Sequence, residues 1–292
     1  MNYIVMDLEW NQSFNGHMGE HPRMPFEIIE IGAVKVDKSL NIVDEYSSLI
    51  KPKIYKKLHS KIRTILNYDE NDLNNGRGFK EVCSEFLEWC GKDYIFCTWG
   101  PMDLTELQTN MDFYYMDKLQ RPLKFLNLQS IYASVTSSSG STQTMSKLEK
   151  AVSEMNIPED QPFHTALNDA RYTALVMKEM KARNINQLYS FDLYITPKNK
   201  EEEIEVYHNN QYISRAFKNK HMAMDDEKVT QIKCYKCSKK VKTYIDWFAN
   251  SPSSYMCVGK CWMHGYFCGK IKFKSSNNNS YYIQKIGKHS FY

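Results

Sequence analysis

No stretch of the 292-residue sequence approaches the roughly 20 apolar residues that a membrane-spanning helix needs. The first ten residues, MNYIVMDLEW, lack the basic start and small-residue cleavage site of a secretory leader. No internal repeat is visible. A soluble, cytoplasmic protein without membrane contact is therefore expected. Acid is scarce in one region. From Lys228 onward, 12 basic side chains are accompanied by one acid, Asp246. Residues 1–197 hold 21 Lys and Arg against 26 Asp and Glu, net −5, whereas residues 198–292 come to +9. A mildly acidic body with a basic tail points to an anionic polymer as partner, although lysines spread over loops also serve solubility alone. The eight cysteines do not read as a disulfide framework in a chain of this length.

What is present is enough for a packed core: 42% of residues are hydrophobic and 13% aromatic. Residues 3–9, 27–37 and 41–50 read as three strands of an antiparallel meander. FKEVCSEFLEWCG (79–91) has the apolar spacing of an amphipathic helix stopped by Gly91. DYIFCTW (93–99) is a short apolar strand. Residues 103–119, 145–156 and 164–183 read as helices, and 136–144 as a flexible loop. The order β-β-β-α-β-α, then further helices, predicts a mixed sheet with helices packed on it. Residues 1–195 form this first domain, 196–230 a polar connector, 231–274 a small basic module and 275–292 a tail.

Three short stretches carry chemistry. VMDLEW (5–10) puts Asp7 and Glu9 two apart at the end of a buried strand, on one face. FCTWGPMDL (96–104) puts Asp103 just past another strand, and FHTALNDA (163–170) puts His164 and Asp169 at a helix start. Carboxylates crowded on one face repel each other and are costly to bury unless a cation is shared. Each acid taken alone reads more simply as a surface or capping group. Together, four acids and a histidine at the ends of elements suit two divalent cations clamping a phosphodiester, Mg²⁺ or Mn²⁺ by their preference for hard oxygen donors.

In their order and spacing these stretches resemble the DEDDh family of 3′–5′ exonucleases, which includes RNase T, oligoribonuclease and the proofreading subunits of DNA polymerases. VMDLEW and FCTWGPMDL are most similar to the branch that trims histone mRNA and small RNAs and that includes bacterial sporulation-kinase-inhibitor exonucleases. Residues 1–185 are covered. The resemblance implies an RNase H-like α/β fold with a five-stranded mixed sheet flanked by helices, hydrolysis that releases 5′-mononucleotides, and single-stranded RNA, or else DNA, as substrate. It also implies roles: Asp7 bridging two metals, Glu9, Asp103 and Asp169 completing their shells, and His164 as general base. Asn168 stands where many relatives carry an acid. Trp10 and Phe14, just after the first motif, are candidates to stack terminal bases, with core packing the competing role for Trp10. Lys51, Lys53, Lys56, Lys57, Lys61 and Arg63 are candidates to line the strand's approach. A rival reading keeps the fold but acts by sequestering a partner. An RNase H- or transposase-type endonuclease is disfavoured by the His-x4-Asp spacing.

Five cysteines fall between residues 234 and 268. Cys234-x2-Cys237 and Cys261-x2-His264 read as paired knuckles of one structural zinc site, with Cys257 and Cys268 as alternates. Such a zinc-ribbon-like module cannot build a large core, so the metal would stabilise it directly. Its lysines and aromatics suit single-stranded nucleic acid, and a protein partner is the other candidate.

Overall fold

The computed structural model describes residues 1–66, 70–136, 145–180, 188–206, 211–234, 236–275 and 280–288. They fall into two compact units, Met1–Asp192 and Leu193–Tyr292. The expected loop at 136–144 lies outside the described residues from 137 onward.

In the first unit, β1 (Asn2–Gln12), β2 (Phe26–Val36) and β3 (Ile42–Leu49) form the expected antiparallel meander. β4 (Tyr94–Thr98) runs parallel to β1, and β5 (Lys124–Asn127) runs parallel to β4. A two-residue strand, β6 (Ser190–Phe191), pairs antiparallel with β5 and gives six strands in the order β3-β2-β1-β4-β5-β6. The five-stranded expectation missed it, since two residues have no detectable periodicity.

The helices are α1 (Ser60–Ile65), α2 (Glu70–Asn74), α3 (Phe79–Cys90), α4 (Met102–Phe113), α5 (Leu128–Thr136), α6 (Leu148–Glu154) and α7 (Ala166–Glu179). α3 buries Phe79, Val82, Cys83, Phe86 and Cys90 and stops at Gly91, whose φ of 83° is open to glycine. α4 ends short of the predicted residue 119. Its last turn is closed by Tyr115 at φ 54° and by the Met116 N–H donating to Met111 O at 2.9 Å.

The central strand β1 divides the core. Tyr3 and Val5 face a cluster with residues of α5, α6 and α7, while Ile4, Met6 and Leu8 face a second cluster built with α3 and α4. Asp7 and Glu9 continue the Tyr3–Val5 row and so lie on the α7 side. At that level Gly32 of β2 sits opposite Asp7. A Cβ on Gly32 would lie 2.1 Å from backbone atoms of Ala166 and Leu167. Glycine thus lets the start of α7 rest directly on the sheet beside Asp7.

The second unit corrects the expected connector and tail. β7 (Ile204–Val206), β8 (Gln211–Ile213), α8 (Lys220–Met224) and α9 (Glu227–Thr230) occupy the stretch expected as connector. β14 (Tyr281–Lys288) occupies the expected tail. With β11 (Thr243–Ser251), β12 (Ser254–Cys261) and β13 (Gly265–Ser275) these strands make one sheet, ordered β11-β12-β13-β14-β8-β7. A short hairpin, β9 (Ile232–Lys233) with β10 (Lys240–Val241), completes the unit. Polar composition hid these strands because they are held by pairing and by buried ion pairs. The Glu203 side chain is fully buried and binds both Arg215 and Lys228.

Candidate active site

β1 delivers Asp7 and Glu9, and α7 delivers Asp169 from its first turn. One carboxylate oxygen from each lies within 4.8 Å of the other two. Asp103 enters from the first turn of α4, after Gly100 at φ 112° and Pro101 turn the chain out of β4. It is buried, and it accepts a hydrogen bond from the Leu8 N–H at 3.2 Å, in the middle of the Asp7-x-Glu9 stretch. It therefore braces the strand that holds the first two acids, and it also accepts its own backbone N–H in the first turn of α4.

The electrostatics are unfavourable for four free anions. Burial, followed by the charges of Asp103, Asp169, Glu9 and Glu30, pushes the Asp7 carboxyl well above its usual range. Burial and then Asp169, Glu30 and Asp103 raise Glu9 to about 8. Burial raises Asp169 to about 7 against the opposing His164 N–H, and burial raises Asp103 as well. Among the described residues, no Lys or Arg is a leading cause at Asp7, Glu9, Asp103 or Asp169. Such a donor set, all oxygen and short of positive charge, fits hard divalent cations such as Mg²⁺ or Mn²⁺.

His164 lies just before Thr165, whose hydroxyl caps α7 by accepting from the Asn168 N–H at 3.4 Å. Its φ of 67° is left-handed, an uncommon conformation for a residue with a side chain. That turn aims the His164 N–H at both Asp169 oxygens, 3.3 Å from each. The imidazole stays outside the carboxylate cluster, 48% exposed, with Nε2 4.0 Å from Glu149 Oε1. Asn168 holds the same loop: its amide donates to Pro162 O at 2.9 Å and accepts from Arg171 at 3.1 Å. Only an amide serves both contacts, which accounts for the departure from an acid here.

Two acids were missed by sequence reasoning. Glu30 is directly across the β1–β2 ladder from Glu9, and its carboxylate accepts the Ala166 N–H at 3.0 Å, satisfying the start of α7. A charged residue inside the apolar run EIIEIGAV was the available signal. Glu149 of α6 had none.

Of the two aromatic candidates, Trp10 packs against the α3–α4 core and tilts on Phe26, with ring centroids 6.0 Å apart. Phe14 is 62% exposed and edges onto His59. The basic stretch after β3 is anchored from beneath. The buried Glu27 carboxylate accepts the N–H groups of Lys53, Ile54 and Tyr55, and Asn11 binds the Tyr55 and Lys57 carbonyls. Arg63 pairs with Glu70.

In the second unit, Cys234, Cys237, Cys261 and His264 place one ligand atom each within 4.8 Å of one another. Sγ of Cys237 and Cys261 are 3.8 Å apart, and His264 Nδ1 lies 3.5 and 3.6 Å from the Cys234 and Cys261 sulfurs. The two knuckles are built alike, each turned by a left-handed residue after its second ligand position: Ser238 at φ 56° and Gly265 at φ 74°. The alternates stay outside the cluster. Cys257 is fully buried, its thiol pushed up to about 12 by burial, and Cys268 is buried too.

A mixed sheet carrying this acid cluster defines a nuclease of the RNase H-like class. The RNase T exonuclease family model matches residues 4–177, and the chain belongs to that family, as a 3′–5′ exonuclease. It is 27% identical over 169 residues to the probable 3′-5′ exonuclease KapD of Bacillus subtilis, covering 57% of this chain and 78% of that one. Among solved structures it resembles the nuclease domain of 3′hExo, a DEDDh family member bound to rAMP. The TM-score is 0.54 at 18% identity, over 63% of this chain and 93% of that one. It also resembles a zinc-bound complex of E. coli ExoI with single-stranded DNA, with a TM-score of 0.53 at 13% identity, over 88% of this chain and 54% of that one.

Proposed function

We propose that the chain hydrolyses single-stranded nucleic acid, RNA in preference to DNA, from its 3′ end with two divalent cations, releasing 5′-mononucleotides. The observation that carries this reading is the convergence of Asp7, Glu9 and Asp169 within 4.8 Å, backed by Asp103, in a site short of positive charge. Divalent cations bound there would neutralise the developing charge on the phosphodiester and activate water. The chain's own residues do the rest. Asp7, Glu9 and Asp169 would hold the cations. Asp103 fixes the strand beneath them through the Leu8 N–H. His164, half-exposed at the rim with its backbone tied to Asp169, takes the proton from the attacking water at its imidazole. Phe14 offers an exposed ring to the terminal base. A protein that only sequesters a partner would have no use for acids crowded at such electrostatic cost.

The preference for RNA rests on the resemblance of VMDLEW and FCTWGPMDL to the RNA-trimming branch. In the second unit the cluster's spacing supports one structural Zn²⁺. Zn–S bonds of about 2.3 Å and Zn–N bonds of about 2.0–2.1 Å give tetrahedral edges of about 3.8 and 3.5–3.6 Å. The observed separations are 3.8, 3.5 and 3.6 Å.

The test uses 5′-labelled RNA and DNA of one sequence, with Mg²⁺ or Mn²⁺. A ladder shortening from the 3′ end, faster for RNA and stopped by EDTA, is expected. Internal cuts, or activity indifferent to EDTA, would sink the reading, and equal rates would remove the RNA preference.

A further inference from the structure

We propose that the zinc-knuckle end of the second unit is a separate grip for single-stranded nucleic acid. Trp262, Tyr266 and Tyr244 offer ring faces to bases, and Lys239 and Lys260 take phosphates. The proposal rests on the exonuclease reading for the kind of polymer, and on the surface itself for the place.

The surface is aromatic, exposed and built. Trp262 is 82% exposed, Tyr244 65% and Tyr266 38%. Trp262 sits between Cys261 and His264 in a tight turn closed by the Cys261–Gly265 pair, so its backbone is fixed while its ring has no packing role. Lys260 and Tyr266 are directly paired across β12 and β13, with Nζ 5.0 Å from the ring centroid. Tyr244, from the edge strand β11, meets Tyr266 edge-on at 5.1 Å. Lys239, from the other knuckle, reaches to 6.0 Å from the Trp262 ring. Exposed rings with ammonium groups beside them match a strand that carries both bases and phosphates. Trp247 does not belong to the set, because its indole N–H donates to Thr230 O at 2.8 Å and its ring packs inward.

Charge is segregated in a way that commits the surface to a polyanion. Three acids before Lys228 pair near the β7–β8 edge: Glu203 and Asp226 with Arg215, Glu203 with Lys228, Glu205 with Lys233. Among the described residues, Lys239, Lys240, Lys242 and Lys260 form no ion pair with an acid. The +11 of residues 228–292 falls only to about +10 when three thiolates and a neutral imidazole hold Zn²⁺.

The experiment is fluorescence anisotropy of a 5′-labelled 30-nucleotide single strand with the full chain carrying Asp7→Asn, over a salt series. Trp262→Ala is expected to weaken binding about 5- to 150-fold, the range for one lost stacked base. Lys239→Gln with Lys260→Gln is expected to lower the salt slope by about 1.4, at 0.7 per phosphate contact on a single strand. Bound zinc is measured in each variant and should be unchanged, because none of these residues is a ligand. On the Asp7 parent, the same substitutions should leave trinucleotide hydrolysis as it was. Unchanged affinity and slope in both variants overturns the proposal and leaves the surface to a protein partner. If the parent hydrolyses no strand yet Trp262→Ala still loses binding, the grip stands and the exonuclease reading fails.

Discussion

At the scale of single residues, the opposing charges in the acid cluster decide how the protein responds to pH and to cations. Glu9 is raised to about 8 and Asp169 to about 7, both first by burial. Their folded-state values lie above the ordinary carboxylate range of about 4, so the folded protein binds these protons more tightly than the unfolded chain. Stability from this source is complete below about pH 4 and is lost as pH climbs through about 7 to 8. Metal-free protein carrying Glu9→Gln should therefore gain Tm relative to the parent at pH 8 and lose that advantage at pH 5, measured by thermal melts in EDTA. An advantage that is constant across pH would mean the acids do not repel as described. By the same reasoning, Mg²⁺ or Mn²⁺ should raise Tm more at pH 8 than at pH 6. His164→Ala should slow hydrolysis on the order of 10²- to 10⁴-fold while the Tm gain from cation persists. Loss of that gain would make His164 part of the cation site instead.

At the scale of elements, the site depends on how α7 meets the sheet. Gly32 permits backbone contact there, and Glu30 satisfies the first N–H of the helix. Gly32→Ala should cost about 1–3 kcal/mol or more through overpacking, and should reduce turnover by shifting Asp169 away from Asp7. Denaturant melts and rate assays on the same preparation would check both, and normal turnover would show that Asp169 tolerates the shift. In the sequence Asp7 and Glu9 stand out because they interrupt the apolar run of β1, and Asp103 and Asp169 because they fall at helix starts just after the other two motifs begin. Cys234, Cys237, Cys261 and His264 were legible because two-residue spacers are short-range. Glu149 and the brace from Asp103 to Leu8 depend on which elements tertiary packing brings together. Likewise β7, β8 and β14 are strands by pairing, in segments whose composition reads as polar linker.

At the scale of the whole molecule, each unit has its own core. The first buries two apolar clusters on the faces of its sheet, whereas the knuckle end of the second relies on Ile232, Phe267 and cysteines. A fragment of residues 1–192 should therefore fold and still degrade trinucleotides with Mg²⁺. In the intact chain, Cys237→Ser should abolish bound zinc and disorder the knuckle end, seen as lost near-ultraviolet dichroism, with trinucleotide hydrolysis retained. Loss of that hydrolysis in the fragment would show that the catalytic fold needs the second unit. The central claim is that the acids on β1, α4 and α7 form one cation-dependent centre attacking the 3′ end. It is tested most directly by single-turnover release of the terminal nucleotide from a 3′-labelled RNA strand in Mg²⁺, comparing the parent chain with Asp7→Asn. The parent should release the label as the first mononucleotide, and neither Asp7→Asn nor the parent in EDTA should release any. Release by Asp7→Asn at a rate near the parent's, or label appearing first in longer fragments, would contradict it.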